Sequence, residues 1–424
     1  MLQFVNDFNQ GIFILLTVIY LYQLYYLFVS LTARRRKNPL PAKAQKNHKY
    51  AAIIAARNES AVIGELIRSL RGQNYPQELL DIFVIADNCT DDTAAVSRQA
   101  GAIVYERQNK SLVGKGYALD ELFRKIHAYH HDAGYEAFFI FDADNLVDEN
   151  FVREMNRLYD CGYKAATCYR NSKNYGANWI TAGYSLWFLR EARFLNAPRM
   201  LLGNSCAVSG TGFMVAASLL NQGWQWHLLT EDIQFSVECA LKGETIGYCD
   251  TAIIYDEQPT TFGQSWHQRL RWSKGFYQVT RHYGGALLQA VVAGGKKAFS
   301  CYDMLMTIAP ATLVTVLGIL INAFLLISAL IEPSFITARL VRATGRAIVF
   351  AVVNIYLALM LFGTATLITE WKKIRASAFR KVVFLFTFPI FIFTYIPISL
   401  VALVRKVQWA PIHHTVLKSL NEVR

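Results

Sequence analysis

The sequence predicts an α/β domain, a mostly parallel sheet with helices on both faces, joined to an α-helical transmembrane region with amphipathic interface helices. Three observations carry this. Strand and helix signals alternate from about Lys49 onward, as in repeated βα units. A short apolar run in residues 136–148, EAFFIFDADNLVD, ends in Asp142 and Asp144, which reads as a buried strand delivering carboxylates to a ligand-facing loop. Finally, hydrophobic residues make up 53% of the 424 and gather in long blocks at the start and in the last third.

The first block, residues 11–31, is uncharged and long enough to cross a bilayer, and Arg34, Arg35, Arg36 and Lys37 follow it at once. A transmembrane helix over 8–31 with the next residues in the cytosol is expected; a cleaved signal peptide would carry its charges before the apolar run. Residues 45–258 form the cytosolic domain: YAAIIAA, a helix from Ser60, DIFVIAD, a second helix, AIVYER, GYALDELFRKI and FFIFD. The loop after the first strand holds Arg57, Asn58, Glu59 and Ser60, with Ser60 a candidate helix cap. The loop after the second holds Asp87, Asn88, Cys89, Thr90, Asp91 and Asp92; each loop also reads as a plain capped turn.

Lys115, between Gly114 and Gly116 at a helix start, brings a cation and backbone amides toward an anion, without the spacing of a Walker loop. A helix near 150–160 and the strand KAATCY follow, then a long segment over 179–195. In AVSGTGFMVAA, Gly210 and Gly212 around Thr211 mark a close backbone approach or a tight turn. Thr230, Glu231 and Asp232 open a helix running to about Leu241; the two acids serve as first-turn dipole partners or as a general base.

Residues 259–299 are expected to be interface helices. Apolar 262, 266, 270 and 277 alternate with basic 269, 271, 274 and 281, a pattern that suits a membrane surface. Residues 301–404 hold three apolar segments, 301–331, 347–369 and 382–404, with Pro310, Pro389 and Pro397 as kinks, and 405–424 is a tail. Lys372, Lys373, Arg375, Arg380 and Lys381 place the loop between the last two in the cytosol. Counting crossings puts the tail outside, whereas Arg405, Lys406, Lys418 and Arg424 favour inside; a further crossing or an interfacial last helix reconciles them. The net charge of +12 lies beside apolar segments, so a membrane surface, not nucleic acid, is its expected partner. Seven cysteines without a CxxC pair read as reduced thiols.

With Asp142-Ala-Asp144, Thr230-Glu231-Asp232 and Gln268-Arg-Leu-Arg271-Trp272 in that order, the chain resembles the membrane-embedded family 2 glycosyltransferases, which include hyaluronan, chitin, cellulose and poly-N-acetylglucosamine synthases. The resemblance covers nearly the whole chain and implies a GT-A domain and an inverting, metal-dependent hexosyltransferase. Such an enzyme transfers sugar from a UDP-sugar to a growing β-linked polysaccharide, processively and coupled to export across the plasma membrane. It implies that Glu59 and Asp87 hold the uridine, that Asp144 and Asp142 hold Mg²⁺ or Mn²⁺, and that Lys115 and Arg271 face the diphosphate. Asp232, beside Glu231, becomes the general base, and Gln268, Trp272, Gly210 and Thr211 meet the acceptor.

The AARNE loop lacks the proline common in relatives, no cellulose-synthase gating loop aligns, and Trp409, Pro411, His413 and Thr415 resemble the Trp-containing tails of several relatives. Two other functions fit: a non-processive transferase acting on a lipid, and a transporter or scaffold that only senses nucleotide sugar. The sugar itself and any partner protein are not fixed by these residues.

Overall fold

The computed structural model describes residues 2–32, 40–41, 43–331, 335–412, 414 and 416–424. The basic run Arg34, Arg35, Arg36 and Lys37 and the tail residues His413 and Thr415 lie outside them. The strands are β1 (Tyr50–Ala56), β2 (Leu80–Asp87), β3 (Ile103–Arg107), β4 (Ala137–Asp142), β5 (Leu146–Val147), β6 (Ala165–Ser172), β7 (Phe213–Ala216) and β8 (Ile246–Asp256). They form one sheet in the order β3-β2-β1-β4-β7-β6-β8-β5.

The β3-β2-β1-β4 half is parallel throughout. Its strands are near-continuous apolar runs because helices cover both faces, and Ile53, Phe83, Phe139 and Phe141 are fully buried. The other half is mixed: β7 runs antiparallel to both β4 and β6, while β6 and β8 are parallel. The helical stretch after β6 (Trp179–Glu191, a π-helical turn Ala192–Asn196 and Ala197–Leu201) returns the chain to the end of the sheet that β6 left. The short β7 therefore enters in reverse. The Ser60 cap expected from sequence is absent. That helix spans Ile63–Arg71, and the Ser60 N–H donates instead to Asp91 Oδ2 at 3.1 Å.

Among the described residues, Asn6–Thr32, Val341–Glu370 and Ala378–Val404 are long and apolar enough to cross a membrane. The single segment expected over 301–331 is interrupted at Ala309, between helices Ala298–Ile308 and Pro310–Ile331. Proline starts a helix well and kinks or breaks one that it interrupts. Ala298–Ile308 also buries a charge the apolar reading overlooked: Asp303 pairs with Arg199 at 2.7 Å and accepts from Tyr26 Oη at 2.7 Å.

The last apolar segment bends at Thr394, between Ala378–Phe393 and Tyr395–Val404, past the in-helix Pro389, a usual cause of kinks. Its start is tied to the α/β domain and its end to the helix Phe262–Ala293. Arg380 Nη1 donates to Gly176 O and Lys274 Nζ to Ala402 O, each at 3.0 Å. The tail then packs on the α/β domain, with Lys418 Nζ on Lys173 O at 2.7 Å and Arg424 on Asp148 at 2.8 Å. Counting crossings and the tail's basic residues point to opposite sides of the membrane; these contacts set the tail against the α/β domain.

The helix expected at the membrane interface spans Phe262–Ala293. Arg269, read as part of its basic face, is fully buried. It donates to Phe391 O at 3.1 Å and Thr394 Oγ1 at 2.5 Å, satisfying carbonyl and hydroxyl groups at the bend.

Candidate active site

Loops at the carboxyl ends of β1, β2 and β4 meet above the sheet. Asn58 and Asn88 take left-handed backbone angles, φ 57° and 51°, which Asn tolerates because its side chain replaces backbone partners. Asn58 Oδ1 accepts from Thr90 N and Asn88 Oδ1 from Asn109 N, each at 2.8 Å. These turns present Glu59 and Asp87 to one cavity of about 540 Å³, whose wall also includes Lys115, Asp142, Asp144, Gly210, Glu231 and Asp232. Asp87 is buried against Arg107, which bonds it at 2.5 Å.

Asp142 and Asp144 have different surroundings. Asp142 is 38% exposed at its side chain and pairs with Lys115, whose Nζ also donates to Gly210 O at 2.6 Å. Asp144 is buried, and its Oδ2 accepts the Glu257 N–H at 2.8 Å. Burial alone would raise its pKa, but His414, Lys173 and this N–H hold it below the usual carboxylate range. Among the described residues no group of three or more His, Cys, Asp or Glu forms a metal cage. Two carboxylates nevertheless suit a hard dication that completes its shell with phosphate oxygens.

Gly210, at φ 78°, is where the two acidic motifs converge: a Cβ there would lie 3.8 Å from Asp232 Oδ2 and 3.9 Å from Asp142 Oδ2. Thr211 does something other than line the cavity. It is 2% exposed; its hydroxyl accepts the Asp142 N–H at 2.8 Å and donates to Asn145 Oδ1. Its side chain turns under the DAD loop and holds that loop in place.

Glu231 and Asp232 begin helix Glu231–Lys242. Burial raises both pKa values, Glu231's to about 7 with help from Asp232, while Lys115 and Arg271 oppose the rise. Lys115 in turn is held above its ordinary value by Asp142, Glu231 and Asp232, against the burial that would lower it. Helix Phe262–Ala293 presses on this turn at Gly275, where a Cβ would meet Thr230 Cγ2 at 2.4 Å. Gln268, Arg271 and Trp272 all reach the cavity wall, spaced so that one helix face presents them. Arg271 Nη1 donates to Leu229 O at 3.0 Å, Gln268 Oε1 is buried without a hydrogen-bond partner among the described residues, and Trp272 meets the Tyr184 ring edge-on at 5.8 Å.

Several wall residues escaped the sequence reading. Arg170 bonds Asp256 Oδ2 at 2.6 Å and Ser209 O at 2.8 Å, and it stacks on Phe188 at 3.6 Å. From the tail, His414 Nδ1 lies 3.0 Å from both Glu59 oxygens and Nε2 4.0 Å from Asp144, while Arg57 sits over the Trp409 ring at 5.4 Å. Acids at the ends of β8 and basic residues in a strand look like ordinary solvated groups in sequence; only the tail tryptophan gave a signal.

A model of the glycosyltransferase-like family 2 matches residues 48–275, more than half of the 424-residue chain. A β-monoglucosyldiacylglycerol synthase from Synechocystis is 27% identical over 53% of this chain and 47% of its own. A poly-β-1,6-N-acetyl-D-glucosamine synthase from Staphylococcus epidermidis is 24% identical over 60% and 61%. The chain thus spans about half the length of the first of these relatives. In fold it is similar to a mannosyltransferase from Pyrobaculum calidifontis in complex with GDP-Man and Mn²⁺, with a TM-score of 0.56 at 16% identity over 87% of this chain and 100% of that one. The sheet, with helices on both faces and carboxylates at its strand ends, is of the GT-A type. Since the matched region runs through the DAD, TED and QRLRW motifs, this chain belongs to glycosyltransferase family 2.

Proposed function

We propose that the protein transfers a hexosyl group from a UDP-sugar to the end of a growing β-linked glycan, with inversion, and feeds the product into its own membrane helices at the plasma membrane. One observation carries this reading. The cavity that gathers the acidic motifs continues past Gln268 and Trp272 to Tyr20 and Gln23 of the first membrane helix, to Met306, Thr307, Ile308 and Ala309 at the helix break, and to Tyr395 and Ser399 of the last segment. Aromatic faces among polar groups suit sugar rings.

In this reading Glu59 and Asp87 hold the uridine, and Lys115 and Arg271 meet the diphosphate as charge-assisted donors. Asp144, with Asp142 beside it, would hold Mg²⁺ or Mn²⁺; bound there, the ion stabilises charge on the departing UDP. Asp232 takes the proton from the acceptor hydroxyl as that oxygen attacks the anomeric carbon from the face opposite UDP. Burial raises its pKa above the usual carboxylate range, which favours proton acceptance. Gln268 and Trp272 position the acceptor, Gly210 leaves room between Asp142 and Asp232, and Thr211 fixes the loop.

The test is to supply the purified chain in lipid with a panel of UDP-sugars and Mg²⁺ or Mn²⁺ and to size the products. Long β-linked chains support the reading; single-sugar products exclude processivity. A second reading, transfer to a lipid, is favoured by the similarity to the Synechocystis glucolipid synthase and predicts a labelled lipid as the sole product.

A further inference from the structure

The membrane side of the cavity contains a cation, Arg190, that among the described residues has no carboxylate in direct contact; the adjacent Glu191 acts on it only at longer range. Arg190, 7% exposed, ends helix Trp179–Glu191 where it passes into the π-helical turn Ala192–Asn196, a local geometry frequent at functional sites. Its guanidinium lies 4.9 Å from the Trp187 ring and 5.1 Å from the Phe362 ring. Nη2 donates to the neutral Gln23 Oε1 at 2.7 Å. Among the described residues no carboxylate comes within 4.0 Å of it. The adjacent Glu191 instead accepts from the Ser209 hydroxyl. Arg199, on the same cavity wall, shows the contrast, since it is doubly bonded to Asp303 at 2.7 Å.

The depth of this group matters. Gln23 lies nine residues before the end of the helix at Thr32, about 13 Å of helical rise, and Phe362 eight before the end at Glu370, about 12 Å. Arg190 is thus held beside the apolar stretches of two membrane helices, where a buried charge without a direct ion pair is costly and marks a pathway or ligand. If headgroups sit at the ends of those helices, about 12–13 Å away along their axes, a group already in the cavity reaches Arg190 more directly than a lipid phosphate does.

We propose that Arg190, oriented by Gln23, receives a carboxylate carried by the acceptor glycan, which makes uronate-bearing chains the substrate class of this cavity. This rests on the glycan reading above. A planar fork of N–H donors matches a carboxylate in bidentate fashion, and Trp187 and Tyr395 on the same wall offer faces for the flanking rings.

The experiment uses the full chain in phosphatidylcholine nanodiscs and two fluorescent tetrasaccharides: one alternating β-linked glucuronate and N-acetylglucosamine, and its carboxyl-reduced counterpart. The native protein should bind the acidic probe about tenfold or more tightly than the reduced one. Arg190→Gln should bring the two affinities together, Arg190→Lys should keep part of the gap, and Gln23→Ala, which retains the charge, should narrow it. Thermal unfolding of each variant checks folding. Equal native affinities, or an intact gap in folded Arg190→Gln, overturn the carboxylate site and leave the glycan reading standing. Binding of neither probe, with UDP-sugar label passing to lipid alone, overturns both.

Discussion

His414 places Nδ1 3.0 Å from both carboxylate oxygens of Glu59, 355 positions earlier in the chain. The contact brings the C-terminal tail onto the loop expected to hold the nucleoside. Burial lifts Glu59 to about 7, and His414 limits the rise. His414 itself is raised to about 10: burial opposes the shift, but Asp144 and Glu59 outweigh it. His414→Ala should release the tail, so that trypsin cuts after Lys418 roughly tenfold faster, corresponding to about 1.4 kcal/mol of docking. Excess UDP, which we expect to take over Glu59, should expose the same site in the native protein; unchanged cleavage in both cases would separate the tail from donor binding.

Asp232→Asn should lower turnover by about 10²–10⁴-fold while UDP still binds. Because burial raises Asp232 above the usual carboxylate range, and the base works ionised, activity of the native enzyme should fall as pH drops through that elevated value. A kcat/KM profile flat down to pH 4 would contradict the assignment.

Glu231 provides a stability test. Its folded pKa is raised to about 7 from 4.5, so the folded state binds more protons than the unfolded one between those values, and stability declines as pH rises through that window. Glu231→Gln should therefore be more stable than the native chain at pH 8, by an amount on the order of 2 kcal/mol, and unfold at a higher temperature, with the gain vanishing near pH 4. Scanning calorimetry or nanoDSF at the two pH values measures it.

Gly275→Ala places a methyl group where Thr230 Cγ2 would lie 2.4 Å away. Neither helix backbone can yield cheaply, so about 1–3 kcal/mol of stability should be lost, together with turnover, since QRLRW and TED shift relative to one another. The double variant Gly275→Ala, Thr230→Ala, which removes both the Cγ2 and the Oγ1 (2.6 Å) that the new methyl would meet, should recover part of both.

Chelation of divalent cations should abolish turnover and Mn²⁺ should restore it. Asp144→Asn should raise the Mn²⁺ concentration needed by more than roughly tenfold. Full activity in chelator would remove the ion from the scheme.

The sequence by itself determined the elements with local signatures. The apolar run ending in Asp142 and Asp144, the acids opening the helix at Glu231, the helical spacing of Gln268, Arg271 and Trp272, and the first membrane helix are all legible, because side-chain period and capping chemistry act within a few residues. Tertiary structure decided the rest. Whether β7 runs parallel or antiparallel depends on where a helical stretch leaves the chain. Arg269 resembles any basic residue on a helix until Phe391 and Thr394 arrive to bury it. Thr211 turns beneath its loop because Asn145 is there to accept its proton. Arg170 finds Asp256 across the sheet, and the tail brings His414 to Glu59. The last four are long-range polar pairings, stabilised by exclusion of water once the chain has closed, and no local pattern of residue types encodes the partner.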